Sequence, residues 1–170
     1  MASQDPGAPL FFSGHVLDED RQPIANALLD VWQTASNGLY DVQDDDQPDF
    51  HMRGKFRTDH EGKFLIRTVR PISYQMPMDG PVGKMFELTA RHANRPAHIH
   101  CIVSADGFTP LTTHLFDADD AYLDSDAVMA FKPSRTCQFV RHDTADGAPE
   151  VQVPLPYYTT TYDFVLTRGA

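Results

Sequence analysis

Cysteine is scarce in this chain: 170 residues hold two, Cys101 and Cys137. Two thiols, with no Cys-x-x-Cys pair, exclude a disulfide framework and a cysteine-rich structural zinc site; both are expected free and reduced. Basic residues are also few. Fourteen Lys and Arg stand against 24 Asp and Glu, a formal net charge of −10 at pH 7. That balance suits neither a phosphate backbone nor an anionic lipid surface, so no nucleic-acid or membrane partner is expected. No apolar run approaches the roughly 18 residues of a membrane span. The opening Met1-Ala2-Ser3-Gln4-Asp5-Pro6 lacks the basic stretch and apolar core of a secretion signal, which makes the cytoplasm the expected location. Internal repeats and a long amphipathic helical period are missing as well.

What is present reads as short strands and many turns. The chain is 41% hydrophobic, with 11 Phe, 13 Pro and 10 Gly, and is long enough to bury a core without a metal or disulfide to hold it together. Phe12 to Gln33 reads as strand, turn, strand around Asp18-Glu19-Asp20-Arg21-Gln22-Pro23, and a second hairpin follows around Asp59-His60-Glu61-Gly62, with Phe64 and Ile66 alternating against Lys63 and Leu65. Leu39 to Gly54, with Asp44-Asp45-Asp46, is too acidic and broken for a core element and is expected as a surface loop. Pro71 to Gly83, with three prolines, is expected to be irregular and non-strand. Further strands are expected at Met85–Arg91, Ala97–Ser104, Leu111–Phe116 and Tyr157–Leu166, with a helical turn near Tyr122–Ala130 and a loop over Arg141–Glu150. Together these predict one all-β domain over residues 1–170, an antiparallel β-sandwich of seven or eight strands, loop-like at 1–9 and 141–156.

The sharpest chemical feature is His98-Ile99-His100. On a strand, alternate side chains share a face, so these imidazoles project together about 7 Å apart along the strand and can reach one ion. A hydrogen-bonded, partly buried pair is the plain alternative. Two tyrosines stand in unusual contexts: Tyr40 in Asn37-Gly38-Leu39-Tyr40-Asp41, and Tyr74 in Pro71-Ile72-Ser73-Tyr74-Gln75-Met76-Pro77. A phenol, with its pKa near 10, ligates only after losing its proton to a hard, strong Lewis acid, for which ferric iron is suited. The remaining histidines, His15, His51, His60, His92 and His142, fall in turns or on strand surfaces and are expected to be solvated. The acidic run lacks the spacing of an EF-hand loop.

Taken in order, Gly38-Leu39-Tyr40-Asp41, Gly54-Lys55-Phe56-Arg57-Thr58-Asp59, Tyr74 with Asp79-Gly80-Pro81-Val82-Gly83, and Arg95-Pro96-Ala97-His98-Ile99-His100 resemble the intradiol ring-cleavage dioxygenases. The likeness is greatest to those acting on hydroxyquinol and catechol, and it extends through Thr113-His114-Leu115-Phe116 and Tyr122-Leu123-Asp124-Ser125-Asp126. The resemblance implies a mononuclear non-haem Fe(III) on Tyr40, Tyr74, His98 and His100. Tyr74 would be the displaceable axial ligand opposite His100, with Tyr40 and His98 equatorial. It implies a catechol substrate cleaved with O2 between its hydroxylated carbons to a cis,cis-muconate type diacid. Arg95 would stabilise negative charge developing beside the ring. His114, where catechol-specific members tend to carry Gln, tilts the substrate towards hydroxyquinol, and Val128 and Phe131 fall where the ring pocket would lie.

Members of the family also carry a helical segment before the sandwich that covers the pocket and makes a dimer contact. Here the sandwich begins near Leu10, so a more open site, tolerance of bulkier catechols and an unspecified oligomeric state are expected. Gly14–Asp18 and Pro23–Ala27 also look like transthyretin-type modules that only bind, a reading that leaves Tyr40, Tyr74, His98 and His100 unexplained as a set. A hydrolase using His98 and His100 alone would require a nearby carboxylate ligand.

Overall fold

A computed structural model describes residue 1, residues 5–150 and residues 152–169. Its strands are β1 (Pro9–Asp18), β2 (Leu28–Trp32), β3 (Arg53–Arg57), β4 (Lys63–Val69), β5 (Tyr74–Gln75), β6 (Asn94–Arg95), β7 (His98–Ser104), β8 (Leu111–Asp117), β9 (Thr136–Cys137), β10 (Val140–His142), β11 (Tyr157–Thr161) and β12 (Phe164–Leu166), with one helix, α1 (Pro81–Leu88). In the first sheet, β1 pairs with β4, β11 and β12, and β10 extends the edge beyond β11. The second runs β3-β2-β7-β8-β9. The two sheets face each other across one apolar core. Leu10, Phe12, Val16, Phe64, Ile66 and Phe164 from the first meet Leu29, Val31, Ile99, Cys101, Val103 and Leu115 from the second. Cys101 and Cys137 are both buried and unbridged.

The sandwich is as expected, with several corrections to its wiring. The two expected hairpins are arches: β1 and β2 lie in different sheets, as do β3 and β4, because Phe64 and Ile66 bury towards Phe12 rather than back against β3. The period-2 pattern still holds, with Ile66 fully buried and Leu65 57% exposed. Ladders are mostly antiparallel, but β1 runs parallel to β11 and β12, and β8 parallel to β9.

Met85–Arg91 is not a strand. Pro81 at the first helical position presets the backbone, and Gly83 and Phe86, three apart, are the residues that α1 buries. The stretch Pro71–Gly83 carries the short β5 and the first turn of α1, and Val140–His142 pairs with β11 where a loop was expected to begin. The helical turn is found at Leu123–Ser125. Of the segments expected to be loop-like, residues 2–4 and 151 lie outside the described residues. His60 and His92 are exposed, but His15, His51 and His142 are half-buried; His142 stacks on Tyr157, and His51 meets the Asp5 carboxylate at 3.3 Å. Among the described residues no helix is long and apolar enough to cross a membrane.

Candidate metal centre

The second sheet sets the site. β7 lies in the middle of that sheet, between β2 and β8, and its alternation buries Ile99 in the core while turning His98 and His100 to the opposite face. Each imidazole is walled in by its ladder partners. Trp32, registered with His100 on β2, stacks on that ring with centroids 4.7 Å apart and planes 4° from parallel. His114 faces His100 edge-on from β8 at 4.4 Å, and Phe116 lies 5.5 Å from His98. His98 Nδ1 is 2.7 Å from the Pro96 carbonyl. A carbonyl only accepts, so Nδ1–H donates and the Nε2 lone pair points into the site.

Tyr40 comes from a loop and Tyr74 from a short strand. Tyr40 precedes a 3-10 turn, Asp41–Gln43, and its backbone N–H donates to Gln43 Oε1 at 3.0 Å. Next to it, Asp41 is held by Arg53 at 3.0 Å. Tyr74 sits on β5 opposite Arg95 on β6. Asp120 braces this pair: it accepts from Ser73 Oγ and from the Ala97 N–H, tying the residue before Tyr74 to the residue before His98.

The polar tips converge. Tyr40 Oη lies 3.1 Å from Tyr74 Oη and 2.9 Å from His100 Nε2, and His98 Nε2 lies 3.1 Å from His100 Nε2. Arg95 Nη1 closes the ring, 3.3 Å from Tyr74 Oη and 3.2 Å from His98 Nε2. Separations near 3 Å are those of adjacent donors around one ion at about 2.1 Å.

The electrostatics agree with the distances. Burial, reinforced by Arg95, holds His98 down to about 3, and burial with His98 and His114 pushes His100 down, so both rings stay in the neutral, ligating form. Burial, with Tyr74 beside it, pushes the Tyr40 phenol up. Its proton would leave only to a strong Lewis acid, so two imidazoles and two phenols fit a hard, highly charged cation. Among the described residues no three His, Cys, Asp or Glu are arranged to hold a metal; the phenols are what complete the donor set.

Arg95 is the cluster's cation. It is buried, its Nε donates to Asp126 at 3.1 Å, and its Nη2 is buried without a partner.

The sequence-predicted Tyr40, Tyr74, Arg95, His98 and His100 thus come together within one ring of contacts. His114 stands one layer back, against both imidazoles. Val128 is partly exposed and Phe131 packs on Phe116 at 5.9 Å. Sequence reasoning gave no role to Trp32, Asp120 or Asp126. Trp32 could have been found from ladder register once β2 and β7 were paired; the two aspartates had no local signal.

A β-sandwich with two imidazoles and two phenols converging on the outer face of one sheet defines a candidate mononuclear metal protein. Comparison with known proteins narrows the class. A family model described as Dioxygenase matches residues 1–168. The hydroxyquinol 1,2-dioxygenase of Rhizobium sp. (strain MTP-10005) is 44% identical over 164 residues, 95% of this chain and 56% of that protein. A catechol 1,2-dioxygenase of Candida albicans is 42% identical over 137 residues, 80% of this chain and 45% of the relative. The crystal structure of hydroxyquinol 1,2-dioxygenase from Pseudomonas putida DLL-E4 superposes with a TM-score of 0.90 at 45% identity, covering 99% of this chain and 59% of the other. The chain belongs to the intradiol ring-cleavage dioxygenase family, whose members use non-haem iron. It spans about half the length of these relatives, between 45% and 59%.

Proposed function

We propose that this chain carries the active site of an Fe(III)-dependent intradiol dioxygenase, which opens a catechol-type ring between its two hydroxylated carbons with O2 to give a cis,cis-muconate type diacid. The observation that carries the reading is the convergence of Tyr40 Oη, Tyr74 Oη, His98 Nε2 and His100 Nε2 at 2.9–3.1 Å from neighbour to neighbour. These four residues would hold the metal. Ferric iron bound there would supply Lewis acidity that holds a vicinal diol as its electron-rich dianion, and that dianion supplies the electrons for O2.

The protein's own groups account for the rest of the chemistry. A diol that chelates must shed two protons: Tyr74 Oη would take one on leaving the donor set and a solvent-derived hydroxide at the site would take the other, so no separate carboxylate base is required. Tyr74 is suited to that role because its short strand is held by a single partner, β6, whereas His98 and His100 lie on a strand paired on both sides. Arg95 offers positive charge beside the reacting ring, its Nη1 lying against Tyr74 Oη and His98 Nε2. Trp32 covers one face of the His100 ring and Phe116 packs beside His98.

Within this reading hydroxyquinol is the favoured substrate. Support comes from His114 against the imidazoles and from the hydroxyquinol enzymes named among the relatives. Oxygen uptake with hydroxyquinol, catechol, protocatechuate and substituted catechols tests it. The expected result is turnover fastest on hydroxyquinol, with a muconate-type product. An extradiol product, or no oxygen uptake by iron-loaded protein, would contradict it.

A further inference from the structure

Asp126 carries a role that the donor set does not explain. Its side chain is 1% exposed, and Arg95 beside it is 7% exposed, so each is desolvated against the other. Asp126 Oδ1 accepts from Arg95 Nε at 3.1 Å and from the Val128 N–H at 3.3 Å, and Oδ2 accepts from the Ala130 N–H at 2.9 Å. The segment it begins is stitched to β6 next to Arg95: Ala127 N–H donates to the Asn94 carbonyl at 3.1 Å, and Arg91 donates to the Ala127 carbonyl at 2.8 Å.

A guanidinium is a planar fork, so holding Nε fixes the direction in which the Nη atoms point. With Nε on Asp126, Nη1 is delivered to the gap between Tyr74 Oη and His98 Nε2 and closes the ring of donors. Buried ion pairs contribute little net stability against apolar residues of similar size, so a carboxylate kept dry here needs a geometric reason.

We propose that Asp126 is a positioning residue, which sets the orientation of the Arg95 guanidinium against the Tyr74–His98 side of the site and ties that orientation to the Val128–Ala130 turn. The inference rests on the intradiol reading above. It predicts that Asp126 acts through Arg95 and not through the metal.

The test is a double-mutant cycle of Asp126→Asn and Arg95→Ala on iron-loaded protein, read by anaerobic titration with catechol in the visible and by steady-state turnover. Asp126→Asn alone should retain iron and the tyrosinate absorption, weaken catechol binding and lower kcat, by roughly 10- to 100-fold. In the Arg95→Ala background the same substitution should change neither binding nor kcat by more than about 2-fold. Asp126→Glu, which keeps the charge, carries the same cycle should the Asn variant fail to fold. Loss of iron with normal turnover per remaining iron, or an undiminished effect without Arg95, would overturn the proposal. Failure of the wild-type protein to shift its absorption with catechol would instead count against the intradiol reading.

Discussion

Within the cluster, small substitutions separate holding the metal from using it. Tyr40→Phe removes one oxygen from a ring that stays packed, and His98→Ala removes the imidazole oriented by Pro96; each should cost most of the bound iron and nearly all turnover, measured by metal analysis and oxygen uptake. Arg95→Ala should keep iron and colour while lowering kcat roughly 100- to 1,000-fold, the usual cost of losing one preorganised charge-stabilising donor. Asp126 also makes a prediction for acid stability. Burial pushes its carboxyl up, but Arg95 and the Ala130 and Val128 N–H groups outweigh that and hold it below the ordinary range. A depressed carboxyl contributes stability above its unfolded pKa of about 3.9 and loses it as pH falls through the lower folded value. Denaturant titrations should therefore show Asp126→Asn less stable than wild type by about 3–5 kcal/mol near neutrality, with the gap closing below about pH 4. Through the family motifs Tyr40, Tyr74, Arg95, His98 and His100 were legible as a set, and their side chains come together in the structure. Asp120 and Asp126 were not legible, because what an aspartate accepts from is decided by chain segments distant in sequence.

Among the elements, β7 and β8 were readable as apolar, β-branched and aromatic runs bounded by turns, and both lie in the interior of a sheet. The arches were not: a turn between two strands looks the same in sequence whether the second strand folds back or crosses to the facing sheet, and only the full set of core partners decides. α1 hid behind Met85, Phe86 and Leu88, apolar residues that suit a strand, while the deciding signal was Pro81 with Gly83 two residues on. A methyl at Gly83 would meet the Met78 carbonyl oxygen at 2.1 Å. Backbone cannot yield as a side chain can, so Gly83→Ala should push α1 off the segment that follows Tyr74. Circular dichroism melts should show a loss of at least several degrees, and catechol affinity should fall while Tyr40, His98 and His100 stay in place.

At the scale of the whole molecule, one apolar core supports the site from behind. Phe12, fully buried, packs edge-on against Phe64 at 5.0 Å and Phe164 at 6.3 Å. Phe12→Ala should cost about 3–5 kcal/mol in denaturant unfolding. Phe64 and Ile66, the apolar face read from the alternation, are buried as that pattern implies; what differs is which strands are neighbours, since burial constrains the face of a strand and leaves its partner open. The proposed chemistry requires four donors meeting one ferric ion. Its most direct measurement is the visible spectrum of the iron-loaded protein alongside its metal content. Tyrosinate on Fe(III) should give a red to burgundy charge-transfer band that bleaches on reduction or chelation and is lost with the iron in Tyr40→Phe. A colourless protein at full iron occupancy would contradict the coordination by Tyr40, Tyr74, His98 and His100.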